Sequence, residues 1–251
     1  MLVDSHAHLN DMMYKDDLDK IIVKAIKNDV RYIIINGYDI KSSEKAIEIA
    51  SNYDMIYATV GIHPSETLNF DSKMIDKLKE LARHKKVVAI GEIGLDYHYA
   101  NSSVESQKQV FKLQLELARD LNLPVTIHSR DAIEDTYEIL KSLDNYGVMH
   151  CYSSSVAMAN KFIDLGYYIS LAGPVTFKNA KVSKEVAKQI PLENLLVETD
   201  SPYLTPHPYR GKRNDPSFVR LVAKEIAVIK EIDIKEVEEV TSANAKKLFS
   251  L

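Results

Sequence analysis

The chain has 251 residues, 45% of them apolar and 27% charged, which suits one soluble domain over residues 1–251 better than two small ones. Its formal net charge of −4 argues against a protein that coats duplex nucleic acid by charge alone. No apolar run approaches the roughly 20 residues of a membrane span, Met1-Leu2-Val3-Asp4-Ser5-His6 does not read as a secretory signal, and a single cysteine, Cys151, allows no intrachain disulfide, so a reduced, cytoplasmic setting is expected.

Along the chain, short β-branched apolar runs alternate with longer amphipathic stretches. Strands are expected at Leu2–His6, Tyr32–Asn36, Met55–Val60, Val87–Ile93, Pro124–His128, Val148–His150, Tyr167–Leu171 and Leu195–Glu198. Helices are expected at Asp17–Asn28, Ser43–Ser51, Ser72–His84, Ser103–Leu121, Asp131–Leu143, Val156–Leu165 and Ala180–Gln189, with two more near Pro216–Ile229 and Lys235–Phe249. Asn101-Ser102-Ser103, Ser129 and Ser153-Ser154-Ser155 supply candidate N-caps. Runs such as Tyr32-Ile33-Ile34-Ile35 and Val87-Val88-Ala89-Ile90 are apolar on both faces, as parallel strands covered by helices are. Eight such units predict an α/β fold, a single-domain, slightly distorted TIM (β/α)8 barrel. An open doubly wound sheet is the rival, but no Gly-rich phosphate fingerprint follows the first strand.

The chemistry-bearing residues fall at strand ends. His6 and His8 lie two apart, so a strand projects both to one face. Glu92, His128, His150 and Asp200 stand at the C-terminal ends of the fourth, fifth, sixth and eighth predicted strands, where barrel active sites are built. Four imidazoles and two carboxylates are too many for one tetrahedral zinc and suit two metals sharing a carboxylate. Glu92, on a central strand, is the natural bridge.

Several further residues admit two readings. His63, in Gly61-Ile62-His63-Pro64, is a candidate for contact with a substrate or for capping the turn before Pro64. Arg130 is a candidate phosphate partner or the partner of Asp131 or Glu134. Arg210, Lys212 and Arg213 form a dense basic cluster in the loop after the eighth strand and are expected to bind substrate there, with a solvated loop as the alternative. Glu198 and Asp4, each two residues before a candidate ligand, are expected to orient the ligands or to pair elsewhere. Cys151 is expected to be a packed small residue and not a nucleophile. Tyr97 and Tyr203 are candidates for stacking on a substrate at the mouth or for packing at the rim. His84 reads as a surface residue, and His98 and His207 are ambiguous.

The set Asp4-Ser5-His6-Ala7-His8, Gly61-Ile62-His63-Pro64, Gly91-Glu92-Ile93-Gly94-Leu95-Asp96-Tyr97, His128-Ser129-Arg130, His150-Cys151-Tyr152 and Glu198-Thr199-Asp200-Ser201-Pro202-Tyr203-Leu204 closely resembles the TatD family of metal-dependent deoxyribonucleases. Tyr209-Arg210-Gly211-Lys212-Arg213-Asn214-Asp215-Pro216 also resembles that family, which usually has Glu where Asp215 stands. The resemblance runs from the first strand to the last helix. It implies an amidohydrolase-like barrel, a divalent metal pair and hydrolysis of DNA phosphodiesters, typically from an end. Carried over by position, it implies that His6, His8 and Asp200 hold one ion and His128 and His150 the other, with Glu92 between. Asp200 is the expected acceptor of the attacking water's proton. The mixed ligand set permits Zn, Mn or Mg, and the resemblance favours Mg or Mn. Single-stranded DNA ends are the expected substrate, and no obligate protein partner is evident. The rivals are a C–N or ester hydrolase of a small metabolite, a D-aminoacyl-tRNA deacylase and a non-catalytic scaffold. Many amidohydrolases bridge their metals with a carboxylated Lys, and here that strand carries Glu92.

Overall fold

The computed structural model describes residues 1–99 and 101–251. Eight strands form one parallel sheet in sequence order: β1 (Leu2–Ala7), β2 (Val30–Asn36), β3 (Ile56–Val60), β4 (Val87–Asp96), β5 (Val125–Arg130), β6 (Gly147–Met149), β7 (Tyr167–Leu171) and β8 (Leu195–Val197). The sheet is nearly closed into a barrel. The seam is joined by the segment after β8, where Asp200 N–H donates to His6 O at 2.9 Å and His8 N–H donates to Ser201 O at 2.7 Å. Asp4 reinforces it, accepting from Thr199 N at 2.8 Å and Thr199 Oγ1 at 2.6 Å. That is the role of Asp4, and its carboxylate makes no hydrogen bond to the His6 ring. Burial pushes its pKa well above the usual range, against these hydrogen bonds.

Surrounding helices are α1 (Leu18–Lys27), α2 (Ile40–Asn52), α3 (Lys73–Leu81), α4 (Val104–Leu121), α5 (Ile133–Lys141), α6 (Val156–Asp164), α7 (Lys181–Gln189), α8 (Val219–Lys230) and α9 (Ile234–Phe249). Ser103 and Ser155 act as N-caps, accepting from Ser106 N and Met158 N. Two of the starts that differ from expectation have clear local reasons. α2 begins three residues early because Asp39 and Ser42 form a reciprocal capping box. α5 begins late because Asp131 turns to a left-handed φ of 52°. Ser129 does not cap it, and its hydroxyl pairs with Thr136 Oγ1 at 3.0 Å.

Alternation along the strands sorts the core. Ile33 and Ile35 of β2 face the large layer under the helices, whereas Tyr32 and Ile34 pack with Val3, Val88, Val148, Tyr168 and Leu196 inside the barrel. Leu248 and Phe249 at the end of α9 join this inner cluster. Further along the same inward rows the side chains become polar: Asn36 follows Ile34, His150 follows Val148 and Glu198 follows Leu196, all buried. The apolar half of the barrel therefore supports a polar half at the strands' C-terminal ends.

β4 runs to Asp96, beyond the expected Ile93, pairing Gly94 with His128 and Asp96 with Arg130. Gly94 makes this possible. Its φ is +144°, and a Cβ there would collide with the His128 carbonyl.

Candidate metal centre

All six strand-end candidates converge. His6 Nε2 and His8 Nε2 lie 3.1 Å apart at the end of β1. Glu92 Oε2 is 3.4 and 3.5 Å from these nitrogens, and Asp200 Oδ1 is 3.6 and 3.4 Å from them. On the other side, His128 Nδ1 and His150 Nε2 are 3.2 Å apart. The second Glu92 oxygen, Oε1, is 3.0 Å from the first and 2.9 Å from the second. Glu92 thus turns one oxygen to each imidazole pair. Donor atoms this close suit ligands around an ion with bonds of about 2.0–2.2 Å.

Hydrogen-bond partners decide which imidazole nitrogens are free to ligate. His150 Nδ1–H donates to Glu198 Oε1 at 3.2 Å, leaving Nε2 with its lone pair. His8 Nδ1–H donates to the Asn36 carbonyl at 3.2 Å, with the same result. His128 is turned the other way: Nε2–H donates to Asp96 Oδ2 at 3.1 Å, freeing Nδ1. In each case the free nitrogen is the one that faces Glu92. His6 Nδ1 is buried without a partner, and its ring stacks on His150 at 3.9 Å. The donor set therefore fits divalent ions both in ligand type and in the direction of its lone pairs.

Charge tells the same story. Burial alone would raise the Glu92 pKa, but His150, His63, His6 and His128 hold it well below the carboxylate range. Burial likewise opposes the ionised Asp200, and the neighbouring imidazoles bring its pKa down. His150 moves up despite its burial, because Glu92 and Glu198 face it.

The TatD related DNase family model matches residues 3–250. The chain belongs to this family. An uncharacterized metal-dependent hydrolase of Bacillus subtilis, YabD, is 47% identical, with 100% of both chains covered. A relative of the same description in Escherichia coli, YcfH, is 39% identical over 100% of this chain and 96% of its own. Among solved structures, the TatD homologue YJJV of E. coli superposes with a TM-score of 0.95 at 29% identity, covering 100% of this chain and 98% of that one. A TatD family hydrolase of Entamoeba histolytica gives 0.88 at 27% identity, covering 99% and 97%.

The other candidate residues of this TatD-family chain divide. His63 joins the centre, with Nε2 3.6 Å from Glu92 Oε1 and its ring edge-on to His128. Yet Ser65 N–H donates to His63 Nδ1 at 3.1 Å, and a backbone amide can only donate, so Nδ1 must be the acceptor. The proton then sits on Nε2, facing the centre. His63 is set as a hydrogen-bond donor where the other three oriented imidazoles are set as ligands. Burial pushes its pKa down to about 3, so it stays neutral near pH 7.

Arg130 lies over the exposed Tyr99 ring at 4.5 Å, and both line the cavity of about 590 Å³ above His128, His150 and Asp200. Its expected rival partner, Asp131, binds His98 Nδ1 at 2.9 Å instead. The three basic residues after β8 do not act as one cluster. Arg210 stacks over Phe177 at 4.1 Å in the adjoining groove, which His207 also lines. Lys212 lies 5.6 Å over Tyr209. Arg213 departs from the expected substrate contact: it binds both carboxylate oxygens of Asp17 and lies over Tyr14, tying the loop to α1. Asp215 caps Ser217 and pairs with Lys24 at 2.6 Å.

Tyr97 is not at the mouth, since its hydroxyl donates to Asp135 at 2.6 Å. Tyr203 is at the mouth, half exposed, and donates to Asp11 at 2.9 Å. Cys151 also lines the mouth, with a left-handed φ of 43° and its amide donating to Glu198 Oε1 at 2.8 Å. Burial and the carboxylates around it push the thiol pKa well up, which leaves it a poor nucleophile.

Two contributors escaped the sequence reading. Asp96 orients His128, and Tyr99 supplies the exposed aromatic face. Asp96 carried a usable signal, because 92, 94 and 96 share a strand face once β4 is known to continue. Burial would raise the Asp96 pKa, but His128 and the Tyr99 and His98 amides hold it below the usual range.

Proposed function

We propose that this metal-dependent hydrolase cleaves phosphodiester bonds of DNA, as an exodeoxyribonuclease acting on single-stranded ends, with two divalent ions at the centre. The observation that carries the reading is Glu92, with one oxygen directed to the His6–His8 pair and the other to the His128–His150 pair. His6, His8 and Asp200 would hold one ion, His128 and His150 the other, and Glu92 both. Mg, Mn or Zn suits this mixed set. Such ions supply an activated water near neutral pH and offset charge on the phosphoryl oxygens.

The chain's own groups supply the rest. Asp200, ionised and beside the site, accepts the water's proton. Arg130 at the mouth carries a permanent charge and a forked donor face for a phosphate. His63 presents Nε2–H to the substrate oxygens and stays neutral while doing so. Tyr99 and Tyr203 offer exposed rings on which a terminal base can stack. A cytoplasmic location belongs to this proposal, and none of the described helices is long and apolar enough to cross a membrane.

The test is end-labelled single-stranded DNA with protein loaded with Mg²⁺, Mn²⁺ or Zn²⁺, beside Glu92→Ala and His128→Ala. Stepwise shortening lost in both variants is the expected outcome. DNA left intact with all three metals would overturn the assignment in favour of a small-molecule hydrolase or a deacylase. Metal analysis giving fewer than two ions per loaded chain would overturn the binuclear centre.

A further inference from the structure

The rim of the mouth is electrically lopsided. A groove of about 750 Å³ joins the mouth cavity through the shared residues Ser153 and Pro174 and runs between the β7–α7 loop and the loop after β8. Its charged lining is Lys178, Lys181 and Arg210, with no carboxylate. The first turn of α7 forms one wall, and its dipole adds to the positive field. Further round the rim, at the loops after β1 and β2, a second groove of about 620 Å³ is lined by Asp11, Asp39, Glu44 and Glu48 against Lys41 and Lys45.

We propose that the groove along Lys178, Lys181 and Arg210 is a subsite for the phosphodiester chain beyond the scissile group, so that a single strand leaves the mouth on this flank only. The inference rests on the phosphodiester reading above. Three cations along a channel continuous with the site match a repeating anion, whereas a small neutral metabolite would have no use for them. Lys178 and Lys181 are exposed, and Arg210 sits over the Phe177 ring, which holds its guanidinium without neutralising it.

Binding and cleavage are read separately. Fluorescein-labelled dT12 and dT3 with phosphorothioate linkages, which resist hydrolysis, are titrated into the Mg²⁺-loaded full chain by anisotropy. The wild type is expected to bind dT12 at least about tenfold more tightly than dT3. In Lys178→Glu/Lys181→Glu that preference collapses, while Lys41→Glu on the acidic flank keeps it. In Lys178→Ala/Lys181→Ala the dependence of log affinity on log salt flattens by about 0.7 per lysine. An unchanged dT12 preference in the double Glu variant, or the same loss in Lys41→Glu, overturns the subsite. Unmodified dT12 left uncut with Mg²⁺, Mn²⁺ and Zn²⁺ while the binding shifts hold overturns the nuclease reading alone, and the subsite stands.

Discussion

At the end of the barrel where the strands begin, Val3, Ile34, Val88, Val148 and Leu196 close on one another and on Leu248 and Phe249 of α9. At the other end, on the same strands, Asn36, Glu92, His150 and Glu198 occupy buried positions with hydrogen-bond partners or facing charges. One end gains from removing apolar surface from water. The other gathers imidazoles and carboxylates whose burial opposes their charge and which hold their order by mutual contact. Left-handed residues also gather at the polar end, with Asp131, Cys151 and Asp200 all at positive φ just past their strands. The contrast teaches that stability and chemistry are divided along the barrel axis, so a substitution should disturb one without the other.

That division can be broken at several points. Glu92→Ala should have the largest effect, a loss of at least about 1,000-fold in kcat, equivalent to about 4 kcal/mol of barrel-mouth chemistry. Thermal melting of the same variant should no longer rise on adding Mn²⁺, whereas the wild type gains about 2.7 kcal/mol at a metal concentration 100 times the dissociation constant. Retained activity or a retained metal shift would break the comparison outright.

Phe249→Ala, at the closed end, should lower unfolding free energy by about 3 kcal/mol in a denaturant titration, through lost burial and the cavity left behind. Its kcat per folded molecule should match the wild type, and a parallel fall in kcat would mean that the two ends are mechanically coupled.

Asp96→Asn should weaken metal affinity by about 10–100-fold, because an amide can offer His128 Nε2 a donor and reverse the imidazole's tautomer. Competition with a metal-binding dye checks this, and unchanged affinity would remove Asp96 from the centre. The smallest effect is expected for Cys151→Ala, with kcat within roughly twofold of the wild type and no inactivation of either protein by iodoacetamide. A large loss would reopen a covalent mechanism.

Much of this division could be read from residues alone. Eight apolar runs at regular intervals imply a parallel sheet covered on both faces, and their number, without a Gly-rich fingerprint after the first, favours the closed barrel over the open doubly wound sheet. Ligand types at strand ends were equally readable, since a barrel strand delivers its C-terminal residues to one mouth whatever lies between. His6 and His8 needed only the two-residue strand repeat. What could not be read were properties set by contacts that only the folded chain makes. Asp17 engages Arg213 from 196 positions away and withdraws it from the site. Glu198 and Asp96 choose the tautomers of His150 and His128 across neighbouring strands. Ser65, two residues from His63, makes that imidazole a donor only because the turn places its amide on Nδ1. The sequence by itself thus pointed to the barrel and to its candidate ligands, because periodicity and residue type act locally. Only the tertiary structure decided which nitrogen of each imidazole is free, which cations remain unpaired and which flank of the mouth is positive, because those depend on what closure of the sheet brings within 3–4 Å.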